Sequence, residues 1–455
     1  MQTIFARQAR LPDGWAENLR LRIENGTIEA LQPESTPLAG DMQVDTLLPG
    51  MANLHSHSFQ RAMAGMTEHR APGQDSFWTW RDLMYRFVER LTPEHVEAIA
   101  ALTFMEMLEA GFTSVGEFHY LHHQPGGTPY ADLAELSQRV FAAASKTGLG
   151  LTHLPVLYSY GGAGLRPLSG GQLRFGNSVD RFSALLDRAR ASAQRDMPAD
   201  TVVGLAPHSL RATCPEELSK ALILQEGAPF HIHISEQTAE VRAIEEWLGG
   251  RPVEWLLDNA PVDGSWCLIH ATHMTGAETR RMAQSGAIAG LCPITEANLG
   301  DGPFNGPEFL SNDGRFGIGS DSNVRISLPE ELRTLEYSQR LRDMARNVMI
   351  NGAGSVGSAL YLGAAKGGAQ ALGRNSGRLE VGALADLIAI DSRLPALCAL
   401  APEQLLDGFC FAAGNDAVTD VWSAGRHQVR HGRHIARDAI LARYRNAIRD
   451  LCASL

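Results

Sequence analysis

The sequence predicts an α/β protein. A (β/α)8, TIM-like barrel spans residues 50–379. A small β-sandwich domain draws strands from both termini, residues 1–49 and 380–434, and a C-terminal helix follows over 435–455. Three observations lead there. Eight short apolar runs end near Leu54, Phe118, Leu157, Pro207, Ile234, Ile269, Cys292 and Ser320. Longer helical patterns, such as Pro93 to Ala110 and Val179 to Gln194, separate some of them. Strand-and-turn patterns appear at both ends of the chain. A doubly wound open sheet is the alternative, but no GxGxxG or Walker A sequence follows the first strand.

At the N-terminus, Asn25-Gly26 is a hairpin signal between Leu19–Ile23 and Thr27–Leu31. Near the other end, Gly382–Ile390 and Val418–Gly425 read as strands separated by turns, and the stretch from about Ile435 to Leu451 has helical periodicity with arginines on its polar face. Between the third and fourth runs, Tyr158 to Asn177 contains Gly161-Gly162, Gly164 and Gly170-Gly171. Such a loop is either an active-site lid or a long surface connection.

Composition narrows the functions. The 455 residues are 44% hydrophobic and 20% charged, which are globular values. Forty Lys and Arg against 51 Asp and Glu give a net charge of −11. This argues against nucleic acid and anionic membranes as partners, since both call for basic surfaces. No apolar run is long enough to span a bilayer, and the first residues lack the pattern of a signal peptide. The six cysteines show no CxxC pairing, which predicts reduced thiols in a cytoplasmic protein.

The chemistry concentrates at the predicted strand ends. Leu54-His55-Ser56-His57 closes the first run. Residues two apart on a strand share a face, so both imidazoles project into the barrel mouth, where active sites of this fold lie. The fifth run carries His231, His233 and, three residues later, Glu236. Either histidine could be a metal ligand and the other a packed barrel residue. Glu236 falls in a loop over the mouth, where a carboxylate can move a proton. His270 ends the sixth run, His273 reads as a loop residue, and Asp321 follows the eighth run. A lone Asp after a strand is commonly a helix N-cap. Metal-binding and acid–base groups at four separate strand ends are hard to produce by packing alone.

Together His55/His57, His233 with Glu236, His270 and Asp321 resemble the amidohydrolase superfamily, in particular its mononuclear deaminase branch. Leu47–Asn53 resembles that family's entry to the first barrel strand, Cys292–Gly300 its seventh strand and following loop, and Gly377–Leu387 its return to the small domain. The resemblance implies His55, His57, His233 and Asp321 as metal ligands, and Glu236, His270 and Asp321 as catalytic groups. Binuclear relatives bridge two metals with a carboxylated lysine on the fourth strand. Here the only lysines are Lys146, Lys220 and Lys366, none of them in the fourth run. A single Zn²⁺ is therefore expected, with Fe²⁺ or Mn²⁺ compatible with the same donors.

The segments Ser58–Gly65, Trp78-Thr79-Trp80-Arg81, Glu117–Tyr120 and Ala206–Ala212 resemble the formimidoylglutamate deiminases, whose substrate is N-formimino-L-glutamate. That resemblance implies that Arg81, Arg211 and Tyr120 hold the two carboxylates, with Gln60 and His208 completing the pocket. It also implies a homodimer. The physics agrees, because a dicarboxylate entering an acidic protein needs arginine forks. Arg61 and Arg86 have no assigned role. Phe77, Trp78, Trp80, Tyr85 and Phe87 form an aromatic cluster that is pocket wall, core or subunit interface. Rival readings are a deaminase or hydrolase of an aromatic amidine (purine, pterin or triazine) and, more remotely, a barrel scaffold without catalysis.

Overall fold

The structure, a computed structural model, describes residues 1–68 and 77–453. Its centre is a ring of parallel strands. These are Met51–Ser56, Phe112–His119, Gly150–Leu157, a fourth split into Val202–Val203 and Ala206–Pro207, then Phe230–Ile234, Trp266–His270, Ile288–Leu291 and Arg315–Ile318. Each pairs with the next. Bridges from Leu205 to Phe230 and from Ser209 to His233 span the irregular fourth strand. Ile318 against Asn53 closes the ring. The split has a local cause: Pro207 lacks an N–H to donate, and Gly204 is pressed against Pro229.

Strands buried on both faces explain why the barrel runs are continuously apolar rather than alternating. The interior is filled by Ala52, Leu54, Cys267, Ile269, Ile288 and Cys292, and is plugged by Ala371 and Leu372 at the end of the helix Val356–Ala371. Gly319 lets the eighth strand close on the first, since a Cβ there would stand 2.7 Å from the His55 carbonyl oxygen.

Strands from both termini form one continuous eight-stranded sheet. Its order is Arg433–His434, Arg426–Arg430, Val418–Ser423, Leu387–Ile390, Met42–Pro49, Gln2–Leu11, Gly14–Glu24 and Thr27–Gln32. Asn25 and Gly26 make the expected hairpin turn, with φ of 49° and 83°. Met42–Pro49 runs through Gly50 straight into the first barrel strand. Sheet and barrel are tied by the fully buried Arg374, which reaches Asp200 at 3.0 Å and Asp386 at 3.3 Å, while Arg426 reaches Asp200 at 2.7 Å. Helices lie where the periodicity places them, at Pro93–Glu109, Val179–Asp196 and Arg437–Cys452.

The glycine-rich connection lies over the barrel mouth and is pinned there. The buried Arg174 guanidinium donates to the carbonyls of His123 at 2.7 Å, Leu91 at 2.9 Å and Val88. Gln172 Nε2 donates to the hydroxyls of Tyr85 and Tyr158, both at 3.2 Å. All six cysteines are free, four of them buried. Among the described residues, no helix is long and apolar enough to cross a membrane.

Candidate active site

Four groups from three parts of the ring converge at its C-terminal mouth. His55 Nε2 stands 3.1 Å from His233 Nε2. Asp321 Oδ1 lies 3.4 Å from His55 Nε2 and 3.3 Å from His57 Nε2. His57 Nδ1 donates to the Phe118 carbonyl at 2.9 Å, and His233 Nδ1 to the His208 carbonyl at 3.0 Å. Those bonds fix the tautomers and leave the Nε2 lone pairs facing inward. Burial keeps the rings neutral: the His55 pKa is pushed down to about 3, and those of His57 and His233 are also lowered. Asp321 is buried too, which favours its neutral form, but His55, His57 and His270 outweigh that and hold its carboxyl far below the usual range. Facing acceptor nitrogens beside a carboxylate oxygen need a cation between them. The donor set therefore fits a metal ion.

The strand ends are held by a polar network. Asn323 Nδ2 donates to Ser56 Oγ at 3.1 Å, to the His57 carbonyl at 3.2 Å and to the Asp321 carbonyl at 2.9 Å. Asn53 and Ser320 exchange hydrogen bonds of 2.6 and 3.0 Å. The His57 N–H donates to the Asp321 carbonyl, and the Asp321 N–H to the His55 carbonyl, both at 3.0 Å. Left-handed backbone falls on the same residues, with φ of 67° at His270, 46° at Asp321 and 56° at Asn323. Each such residue costs about 1–3 kcal/mol, offset by the surrounding bonds, and such strain clusters at functional sites.

Around the donor set stand further titratable groups. His270 Nε2 faces Glu236 Oε1 at 3.8 Å and Asp321 Oδ2 at 4.0 Å. Its Nδ1 meets Glu296 Oε1 at 3.2 Å. Burial disfavours the charged imidazole, but Glu236, Glu296 and Asp321 outweigh it and raise the His270 pKa to about 10. Glu236 is buried as well. Desolvation dominates there, His270 and Arg211 oppose it only in part, and its pKa rises to about 7. A carboxyl that titrates near neutrality suits proton transfer.

These groups open into a cavity. Its walls include Gln60, Trp80, Arg81, Tyr120, Tyr158, His208 and Arg211. Gln60 Nε2 donates to the Tyr120 hydroxyl at 2.7 Å. Arg211 Nη2 lies 3.8 Å from Glu236 Oε2, and its Nε lies 3.6 Å from Glu240 Oε1. Arg81 stacks its guanidinium over the Tyr85 ring at 5.4 Å. The cavity wall thus carries two cationic side chains together with the histidine–carboxylate cluster.

Every site residue expected from the sequence lines this cavity or, in the case of His55, lies just beneath it. The alternative histidine, His231, sits deeper and bonds the Ala371 carbonyl at 2.8 Å. His273 is in the loop after the sixth strand, its N–H bonded to the Ser235 carbonyl. Arg61 forms an ion pair with Glu106 at 2.6 Å, away from the cavity. Of the aromatic cluster, Trp80 and Tyr85 are pocket wall and Phe87 is core, while the side chains of Phe77 and Trp78 lie outside the described residues. Sequence reasoning missed Glu240 and Glu296. Both are acids in the first turns of helices that follow barrel strands, the usual position of a carboxylate that caps backbone N–H groups.

Comparison with known proteins agrees with this geometry. Residues 46–427 match the amidohydrolase family, and residues 1–45 match the formimidoylglutamate deiminase HutF N-terminal domain. A formimidoylglutamate deiminase from Pseudomonas aeruginosa is 50% identical over 95% of this chain and 96% of its own. A crystal structure of an amidohydrolase from Brucella melitensis is 50% identical and superposes with a TM-score of 0.95, covering 99% of this chain and 100% of that one. An adenosine deaminase structure from Xanthomonas campestris with bound zinc shares the fold at 22% identity and a TM-score of 0.83, over 99% and 98% of the two chains. The chain belongs to the amidohydrolase family and, within it, groups with the formimidoylglutamate deiminases.

Proposed function

We propose that the protein hydrolyses N-formimino-L-glutamate to N-formyl-L-glutamate and ammonia, a step of histidine degradation. The observation that carries this reading is the presence of a histidine–carboxylate donor set and of Arg81 and Arg211 in one cavity. A dicarboxylate amidine has matching halves: an electrophilic C=N carbon for the donor set and two carboxylates for the guanidinium forks. The 50% identical formimidoylglutamate deiminase supports the same substrate.

His55, His57, His233 and Asp321 would hold the metal, proposed as Zn²⁺ from three nitrogens and one oxygen and from the zinc-bound relative. When bound, such an ion supplies Lewis-acid chemistry, bringing the pKa of water toward ~7. The remaining steps belong to side chains. Asp321 accepts a proton from the attacking water as its oxygen bonds the amidine carbon. His270 stabilises the charge that develops on that oxygen. Glu236 donates a proton to the imino nitrogen. The proton of the new hydroxyl, relayed through Glu236, then joins the same nitrogen, its bond to carbon breaks as C=O forms, ammonia leaves, and the proton held by Asp321 returns to Glu236. Tyr120, Gln60 and His208 orient the glutamyl portion between the two arginines. A cytoplasmic homodimer completes the reading and is checked by cell fractionation and light scattering.

A substrate panel tests the proposal. Turnover of formiminoglutamate should far exceed that of adenosine, methylthioadenosine and aminotriazines. Preference for any neutral ring would overturn it, because arginines have no partner on such substrates.

A further inference from the structure

Glu240 is 1% exposed and stands on the first turn of the helix Thr238–Leu248, beside the cavity-lining Glu236 and Arg211. One of its carboxylate oxygens accepts the Glu236 N–H at 3.0 Å. The other faces Arg211 Nε at 3.6 Å. Arg211 is nearly as close to Glu236, whose Oε2 is 3.8 Å from Nη2. Neither Arg211 Nε nor Glu240 Oε1 has a hydrogen-bond partner, although both are buried. The guanidinium is therefore suspended between two carboxylates, close to both and hydrogen-bonded to neither by these atoms.

We propose that Glu240 is a positioning residue that holds Arg211 toward the substrate carboxylate and off the proton donor Glu236. The inference rests on the deiminase reading given above. Arg211 must serve the substrate while standing beside an acid that needs to exchange its proton. A guanidinium bonded to Glu236 would hold that acid ionised and withdraw a fork from the substrate at the same time. A second carboxylate, facing Nε beside the Nη2 that faces Glu236, competes for the guanidinium and keeps it from closing on that acid. Because the same carboxylate anchors the Glu236 backbone, it sets the separation of the two groups from one point.

The test is Glu240→Gln, which keeps the side chain's size and an acceptor for the Glu236 N–H but removes the charge. With formiminoglutamate, KM should rise and kcat fall, each by about tenfold, as for loss of an orienting partner. In a crystal structure of the variant, Arg211 should close to hydrogen-bond distance of Glu236. In an Arg211→Gln background the same substitution should no longer lower kcat. Glu240→Asp, which keeps the charge, should lie nearer the wild type and serves if the amide variant is poorly folded. An equal fall in kcat with and without Arg211, or an unmoved Arg211 in the crystal, overturns the inference. Wild-type protein that releases no ammonia from formiminoglutamate overturns the deiminase reading instead, and the position of Arg211 in the Glu240→Gln crystal still decides the role of Glu240.

Discussion

Glu296 accepts a hydrogen bond from His270 Nδ1 at 3.2 Å, so the Nε2 of that ring is aimed at Glu236 and Asp321. The same carboxylate oxygen takes the Cys292 N–H at 2.9 Å, which locks it to the end of the seventh strand. His270 is thus oriented by the backbone two strands from the donor set's first histidine.

Glu296→Gln removes the charge from that contact and lets the amide flip its donor toward the ring. The expected result is a fall in kcat of about 10–100-fold with KM little changed. Steady-state kinetics with metal analysis checks it. Unchanged kcat at full metal content would mean that His270 needs no such orientation.

Arg211→Met should lower kcat/KM for formiminoglutamate by about 1.5–3 kcal/mol, or roughly 10–150-fold, the range for hydrogen bonds to a charged group. The same variant should gain relative activity on amidines that lack carboxylates. Equal kcat/KM for mutant and wild type would remove Arg211 from the substrate site.

Glu236→Gln should retain the metal and lose turnover by about 10²–10⁴-fold, the usual share of a proton-transfer group. Because the Glu236 pKa is pushed up to about 7 by burial, its protonated form falls away as pH rises through neutrality. Measured between pH 5 and 9, kcat/KM of the wild type should decline on the alkaline side, and the residual activity of the Gln variant should lack that decline.

Asp200 gives a prediction about stability. Burial alone would raise its pKa, but Arg426 and Arg374 outweigh burial and bring it from 3.8 to about 2. A carboxyl depressed in the folded state adds stability above its unfolded value and loses it as pH falls from about 4 toward 2. Asp200→Asn should therefore cost on the order of 2 kcal/mol at pH 7 and much less at pH 2. Denaturant unfolding at both pH values measures this, and an equal loss at both would contradict it.

Much of the fold was legible because each barrel strand is buried on both faces and so reads as an apolar run. The ends of those runs fall within about two residues of the observed strand ends, the usual uncertainty of element boundaries. His55, His57 and His270 could be placed because a side chain at a strand's end points into the mouth by geometry alone. His231 and His233 share a face, and periodicity could not separate them. Depth does so, since His231 meets the helix that plugs the barrel floor. Glu240 and Glu296 escaped notice because an acid in a helix's first turn is an ordinary cap. Their second partners, Arg211 and His270, come from other strands, and only the closed ring brings them near. Arg174 was equally silent, since a buried guanidinium bonded to three carbonyls has no signature in the chain.

The most direct measurement is ammonia release from N-formimino-L-glutamate by the purified protein before chelation, after removal of its metal, and after titration with Zn²⁺. The account predicts loss of activity on chelation and full return at one equivalent of zinc per chain, with both effects abolished in His55→Ala. Activity that survives complete metal removal, or that returns only at two equivalents, would contradict a single ion held by His55, His57, His233 and Asp321.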